Sequence, residues 1–189
     1  MRLFFRKKAT SLKPNLLNRP MAISLITGSI LFLLQISAFA KVTCESTISK
    51  CSSINTLQYL KMVNIYKHEF TSTKFAKTLV LTYLRDVKKG KNEEATKRLF
   101  KANNDSISPE QQKMLDEWCA KYIDSVDGST FKVILEKAGV TMHINGKEQL
   151  VYRGEKGIQF GKKFLNIWMG PAPPDMQIKA DMMEILSKN

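Results

Sequence analysis

The last third of the chain contains the sequence pattern that most restricts the fold. Residues 140–144 alternate apolar and polar side chains, which is typical of a half-buried strand, and they run into the pair Asn145-Gly146. That pair favours a tight hairpin turn, so a second strand is predicted over residues 149–153. An amphipathic helix follows, three prolines interrupt the chain, and a last helix is predicted from Asp175. The pattern predicts a hairpin followed by two helices.

Earlier segments add further strands to this hairpin. Strand-like sequence occurs in residues 57–70 and 78–87, and a shorter strand is predicted over residues 130–135. Residues 78–87 carry apolar side chains on both faces, which predicts a central strand that is covered on both sides. The segment 41–56 is polar and is expected to be irregular, so the folded domain is predicted over residues 57–189.

Two helices are predicted between these strands. The first covers residues 93–102, and the second begins after Ser108, a capping serine that precedes Pro109. Strands and helices therefore come in runs without strict alternation. The predicted fold class is α+β, with helices over one antiparallel sheet.

The first 40 residues have the composition of a secretory signal peptide. Basic residues precede an apolar run at 22–36, and small residues stand before a predicted cleavage point after Ala40. An uncleaved membrane anchor is the alternative, because residues 21–40 are nearly long enough to span a bilayer core. Cleavage would leave 149 of the 189 residues, enough for one domain, in the periplasm or outside the cell.

Net charge changes when this leader is removed. The whole chain carries +13, but six of its 30 Lys and Arg residues and none of its 17 acidic residues lie in the first 40, so the remainder carries 24 minus 17, or +7. Its lysines are spread along the sequence and only three arginines remain, whereas nucleic-acid binders cluster their basic residues on one face. Nucleic acid is therefore not a predicted partner, and peripheral contact with an anionic membrane remains a candidate.

Cysteine and histidine positions bear on the compartment and on metal binding. Cys44 and Cys51 enclose a short polar segment and would pair in an oxidising compartment, with two unpaired thiols as the alternative. Cys119 falls in an apolar helical stripe and is expected to be a buried thiol. His68 and His143 are far apart and lack the spacing of metal ligands, so neither a metal site nor a cofactor is predicted.

The segments at residues 83–87, 139–146 and 167–170 together resemble the chalcone isomerase-like family, in particular its exported bacterial branch. Tyr-Leu-Arg-Asp-Val at 83–87 is similar to the family's central strand and the approach to the next helix, and residues 139–146 are similar to its late hairpin. Ile-Trp-Met-Gly at 167–170, with the proline-rich turn and the closing helix, is similar to its C-terminal signature. The similarity covers residues 79–186. It implies an open-faced β-sandwich with a ligand cleft between the large sheet and the helices.

The resemblance also implies where catalytic groups would lie. Plant enzymes of the family cyclise a chalcone to a flavanone, which needs a cation at the oxyanion and hydroxyl groups that polarise the carbonyl. The positions that match those groups are Cys51, Val63, Glu93, Phe100 and Ile167. None of the five offers the expected group, so no catalytic residue is predicted. An isomerase or intramolecular lyase that uses other residues is the alternative hypothesis.

The preferred hypothesis is an exported, non-catalytic domain that binds a small apolar or fatty-acid-like ligand. Non-catalytic relatives of this fold bind fatty acids, and an apolar cleft with one cation suits a carboxylate lipid. The ligand-binding candidates are Arg85, Tyr83 and Lys61. A structural ion pair or a surface position is the alternative role of Arg85. A third hypothesis is an envelope protein without a pocket, whose interior would be filled by Trp118, Phe160, Phe164 and Trp168.

Overall fold

A computed structural model describes residues 42–45, 50–59 and 63–188 of the chain. The predicted leader, residues 1–40, lies outside them. The described residues form seven strands and four helices, which confirms the α+β class with helices over an antiparallel sheet. The elements are β1 Thr43–Glu45, β2 Lys50–Tyr59, β3 Val63–Ser72, β4 Ala76–Tyr83, α1 Lys89–Ala102, α2 Pro109–Ala120, β5 Thr130–Glu136, β6 Gly139–Ile144, β7 Lys147–Arg153, α3 Gly154–Met169 and α4 Met176–Ser187.

The described strands form one antiparallel sheet in sequence order, from β1 to β7. β4 lies at the centre, as predicted, but among the described residues no second layer covers its outer face. Leu79, Leu81 and Tyr83 are buried beneath the helices, whereas the alternate residues Thr78 and Val80 are half-exposed on the outer face. Apolar residues on both faces of this strand therefore go with burial on one face and partial burial on the other.

The prediction of an irregular segment at 41–56 is wrong for the residues that are described. β1 and most of β2 lie there, and β2 pairs along its length with β3. Cys51 and Ser53 point to the helices, while Ser52 and Ile54 are more exposed. The serine and threonine residues of β2 give no clear alternation of apolar and polar side chains in the sequence. Only the pairing with β3 shows which of them face the helices.

The late hairpin turns as the sequence predicts. Asn145 has φ of 50° and Gly146 has φ of 77°, which is the left-handed conformation that the two central positions of a type I′ turn require. The Asn145 side-chain oxygen also accepts a hydrogen bond from the Thr130 N–H at 2.8 Å. This bond ties the turn to the start of β5.

Helix starts follow capping chemistry where the sequence supplies it. Ser108 and Gln111 form a capping box at the start of α2, and the Asp175 carboxylate accepts two N–H groups at the start of α4. α1 begins at Lys89, one turn before the predicted start at residue 93. The Asp124 carboxylate, distant in sequence, accepts the Lys89 N–H at 2.8 Å and so stabilises the earlier start.

The helices lie over one face of the sheet. α3 crosses β5, β6 and β7, and α4 covers β2 and β3, while α1 and α2 pack on each other and α1 contacts α3. α3 approaches the sheet closely because Gly157 and Gly161 face it; a Cβ on Gly157 would lie 2.1 Å from the Tyr152 carbonyl oxygen. The two glycines therefore fix the height of α3 above the sheet.

The cysteines and the lengths of the helices complete the description of the fold. Cys44 and Cys51 face each other across β1 and β2 and form a disulfide, and Cys119 is a buried free thiol. Among the described helices, none has the length and apolar content needed to cross a bilayer.

Candidate functional site

The space between the sheet and the helices is filled by aromatic side chains. Trp118, Phe160, Phe164 and Trp168 are all buried, and the ring centroids of Trp118 and Phe164 are 5.0 Å apart. A small opening beside Tyr83 and Tyr122 has a volume of about 10 Å³, close to the space for one water molecule. The interface that corresponds to the family's cleft is therefore packed in this conformation.

A row of polar residues nevertheless interrupts this apolar interior. It lies on the helix-facing side of β2, β3 and β4, where the strand register sets Tyr66 opposite Tyr83 and Ser53 opposite Phe70. We call it the buried polar row, and its members are Ser53, Tyr66, His68, Ser72 and Tyr83. Alternation along each strand brings these residues to one face, because successive side chains point to opposite sides of the sheet.

Tyr66 is the centre of the row. Its phenolic oxygen accepts a hydrogen bond from Trp168 Nε1 at 3.1 Å, at the last turn of α3. Its ring meets that of Tyr83 edge to face, with centroids 6.1 Å apart. The Tyr66 O–H retains a proton that it can donate, since the bond to Trp168 uses the oxygen as an acceptor.

Burial keeps both tyrosines neutral. Desolvation raises the pKa of Tyr66 far above its usual value and outweighs the opposing bond from Trp168. Desolvation likewise raises the pKa of Tyr83 to about 12, against the lowering effect of Ser125 and Asn92. At neutral pH both groups are therefore hydrogen-bond donors and neither is a general base.

Ser53 has no hydrogen-bond partner within the part of the chain that the structure describes, although its hydroxyl is buried. Buried hydroxyls are normally paired, because burial without a partner costs free energy. Nearby α4 packs on β2 and presents the apolar side chains of Ile178, Met182 and Ile185 to the interior. A polar atom of a ligand in this space would satisfy Ser53.

One acidic residue lies on the buried side of α4. Asp181 is 3% exposed and accepts a hydrogen bond from Gln177 Nε2 at 2.8 Å. No Lys or Arg is among the buried residues of the described chain. The described part of the interior therefore offers donors and hydroxyls to a polar head group but no permanent cation.

The three predicted ligand-binding residues fall in different surroundings. Tyr83 belongs to the buried polar row. Arg85 lies in the bend after β4, exposed and without an ion pair among the described residues, and the other two arginines of the domain, Arg98 and Arg153, are exposed as well. Lys61 lies outside the described residues, so its prediction stays a prediction.

The positions matched to the plant enzymes' catalytic groups do not converge on a reactive centre. Cys51 is held in the disulfide, and Phe100 and Ile167 are buried in the core. Glu93 lies on α1, with a carboxylate oxygen 3.5 Å from Lys89 Nζ. Nothing is described of the Val63 side chain. Within the described residues, no group of three or more His, Cys, Asp and Glu side chains is placed to hold a metal ion.

Sequence reasoning missed Ser53, Tyr66 and the role of Trp168. Tyr66 and His68 alternate with Ile65 and Lys67, so the two-residue period of β3 could have indicated one buried polar face. The contact with Trp168 carries no local signal, because 102 residues separate it from Tyr66.

These features define an α+β domain with an open antiparallel sheet, a helical layer and a polar row at their interface. A family model described as chalcone isomerase-like matches residues 59–184. The chain belongs to the chalcone isomerase-like family. Comparison with curated protein sequences gave no match.

Among solved structures, the fold is similar to that of a fatty-acid binding protein of Arabidopsis thaliana. The TM-score is 0.55, and the alignment covers 78% of this chain and 98% of the plant protein at 10% sequence identity. At this identity the similarity extends to the fold alone.

Proposed function

We propose that this protein is a non-catalytic member of its family that binds a small apolar ligand with a polar head, such as a fatty acid, between the sheet and α4. The observation that carries the proposal is the buried polar row, in which Ser53 Oγ lacks a partner among the described residues. A carboxyl group beside Ser53 could exchange a hydrogen bond with its hydroxyl. Tyr66 lies four residues farther along the paired strands and would donate to a second polar atom of the ligand or to a bridging water. The ligand's chain would lie against Ile178 and Met182.

The similarity to a fatty-acid binding protein supports the choice of ligand class. The exposure of all three arginines supports a non-catalytic role, because chalcone cyclisation needs a cation at the developing oxyanion. Losing one such donor typically lowers the rate by about 10²- to 10³-fold. Isomerase activity remains the alternative, and incubation of the protein with a chalcone, followed by absorbance, tests it.

Ligand entry requires movement, since the interface is packed. α4 is the element whose displacement would open the polar row, because it covers β2 and β3 and joins α3 through a proline-rich turn. Met176 and Met183 of this helix are 67% and 49% exposed, so part of its apolar surface is already in solvent. Lifting α4 would therefore expose the part of the row that lies on β2 and β3 while α1, α2 and α3 stay packed.

We also propose that the protein is exported and that cleavage follows Ala40. The leader's order of basic, apolar and small residues supports this, as does the disulfide between Cys44 and Cys51, since such bonds persist in oxidising compartments. Sequencing the N-terminus of the protein recovered from the periplasm or medium tests the cleavage site. An intact leader in the recovered protein would favour the membrane anchor.

The ligand proposal is tested by native mass spectrometry of the exported protein before and after organic extraction. The expected result is an added mass that extraction removes and that proves to be a fatty acid or similar amphiphile. Ser53→Ala should lower ligand occupancy without loss of stability, because it removes a hydroxyl that has no partner in the described chain. Ser106→Ala, at an exposed position, is the matched control.

A second candidate function follows from the packed interior. A domain whose cleft is filled by Trp118, Phe164 and their neighbours would serve as an interaction module of the envelope without a small ligand. Protein that carries no bound molecule and takes up no added fatty acid would reject the ligand proposal in favour of this one.

A further inference from the structure

A second surface, remote from the buried polar row, combines an exposed aromatic residue with four lysines. It is a groove of about 390 Å³ between the β3–β4 turn, the end of β5 and the start of α3. We call it the tip groove. Its floor contains Leu135 and Ile158, and Phe75 stands at its edge with 70% of its surface exposed.

The β3–β4 turn fixes the position of Phe75. Thr73 Oγ1 accepts hydrogen bonds from the Phe75 N–H at 3.2 Å and from the Ala76 N–H at 3.0 Å. The Thr73 N–H donates to the Ala76 carbonyl oxygen at 2.8 Å. This hydrogen-bonded turn thus holds Phe75 at the end of the sheet. Because the turn is already ordered, burying the ring against a partner costs little further conformational entropy.

Four lysines surround the groove: Lys74, Lys77, Lys137 and Lys162. None of them forms an ion pair within the described parts of the chain, whereas most lysines of α1 and α2 pair with carboxylates. Two carboxylates, Glu136 and Glu155, also line the groove, and Glu155 accepts a hydrogen bond from Gln159 Nε2 at 3.1 Å. Positive charge is therefore in excess around Phe75.

We propose that the tip groove docks on an anionic lipid bilayer, with Phe75 inserted among the head groups and the four lysines against lipid phosphates. An exposed aromatic residue ringed by lysines matches a surface that is apolar inside and negative outside. A soluble acidic protein would pair with the lysines, but it would not account for the exposed apolar ring of Phe75. The inference is independent of the ligand proposed for the polar row.

The other end of the sheet provides an internal control, because there Asp124 pairs with Lys88 and Asp127 adds a further negative charge. Val126 is 56% exposed there, close to Asp124 and Asp127. The N–H of Gly128 donates to the Tyr83 carbonyl oxygen, which places this segment beside the far end of β4. At about 3.3 Å per residue, β4 separates the two ends by about 26 Å, so they cannot both lie against one bilayer when the strand stands upright.

Tryptophan fluorescence in the full chain tests the proposal. Tryptophan occurs in the sequence only at positions 118 and 168, and both are buried, so Phe75→Trp adds a single exposed reporter. Val126→Trp reports on the opposite end. Both variants keep the apolar segment at 22–36, which attracts them to vesicles equally. Vesicles carry brominated acyl chains, which quench tryptophan that enters the bilayer.

The expected result is quenching of Phe75→Trp on vesicles of phosphatidylcholine mixed with phosphatidylglycerol, with little quenching on phosphatidylcholine alone or in Val126→Trp. Replacing Lys74 and Lys137 with glutamine in the Phe75→Trp chain should lower the ratio of inserted to free reporter by about fivefold per lysine. Replacing Lys101 and Lys121, exposed elsewhere, should change it little.

Absence of quenching in Phe75→Trp, or equal quenching in Val126→Trp, would overturn the proposal. Equal quenching on vesicles without phosphatidylglycerol would remove the role of the lysines and overturn it as well. A response to dissolved octanoate but not to vesicles would assign the tip groove to a small anionic amphiphile instead.

Discussion

The indole N–H of Trp168 donates a hydrogen bond to the phenolic oxygen of Tyr66 at 3.1 Å, across the interface between the end of α3 and the centre of β3. Both side chains are almost completely buried. This bond gives the indole N–H an acceptor in a region that water hardly reaches. It also leaves the Tyr66 proton available to another acceptor, which is a second polar contact for the ligand proposed above.

Tyr66→Phe should destabilise the protein by about 1–3 kcal/mol, the cost of leaving the buried Trp168 N–H without an acceptor. Urea unfolding measures the loss. Tyr122→Phe is the control, because Tyr122 is as buried as Tyr66, but its hydroxyl bonds at 3.1 Å to the hydroxyl of Thr96, a half-buried side chain that can turn to another partner. An equal loss in the two variants would show that the Trp168 bond has no special cost.

Gly157→Ala should destabilise by about 1–3 kcal/mol, the range for overpacking. The added Cβ would lie 2.1 Å from the Tyr152 carbonyl oxygen, so α3 would have to move away from β7. Gly90→Ala is the matched helical control, since nothing lies within 4 Å of its Cβ position, and a gain of up to about 1 kcal/mol is expected. Thermal unfolding of both variants compares them, and a neutral Gly157→Ala would contradict the close approach of α3.

Removing the disulfide with Cys44→Ser and Cys51→Ser together should cost about 2.5 kcal/mol, the chain-entropy value for a loop closed across a separation of seven residues. Urea unfolding of the reduced wild type should match that of the double variant. Cys119 should stay unlabelled by thiol reagents in the folded protein, because burial raises its pKa to about 12. Unchanged stability after reduction would contradict the expected contribution of the disulfide.

Stability should fall as the pH rises from about 10 towards 12. Burial raises the pKa of Tyr83 from 10.0 to about 12, so the folded protein holds this proton after the unfolded chain has lost it. The stabilisation is complete below pH 10 and is lost as the pH rises through the folded value. Urea unfolding at a series of alkaline pH values measures the slope, which Tyr83→Phe should reduce. A flat profile would contradict the burial of the tyrosines.

Arg85→Ala should weaken fatty-acid affinity by up to about fivefold, the scale of an exposed ion pair, and should leave the fold intact because the side chain is exposed. Displacement of a fluorescent fatty acid measures the change. Arg98→Ala, also exposed, controls for loss of one positive charge. Equal affinities in the two variants would remove Arg85 from the site.

Local sequence was sufficient for the hairpin, the α2 start and the last helix. The Asn145-Gly146 turn needs two left-handed residues, and few pairs other than this one adopt that conformation easily. Ser108 and Asp175 cap the helices that follow them through contacts within three residues. Such signals are readable because the interacting groups are neighbours along the chain.

Other local signals failed where a distant partner decided the outcome. The early start of α1 depends on Asp124, 35 residues away, and β2 is a strand because β3 pairs with it. The surroundings of Arg85 also depend on the tertiary structure, because the chain bends after Tyr83 and leaves the arginine exposed.

The sequence by itself determined the class of fold, the order of its later elements and the residues that pack its core, since periodicity and capping act over a few residues. Only the tertiary structure decided which polar groups share the interior and whether the cleft is open. Tyr66 and Trp168 are in contact because the strand and the helix that carry them come together only in the folded domain. The volume left between the helices and the sheet depends on how closely Gly157 allows α3 to approach.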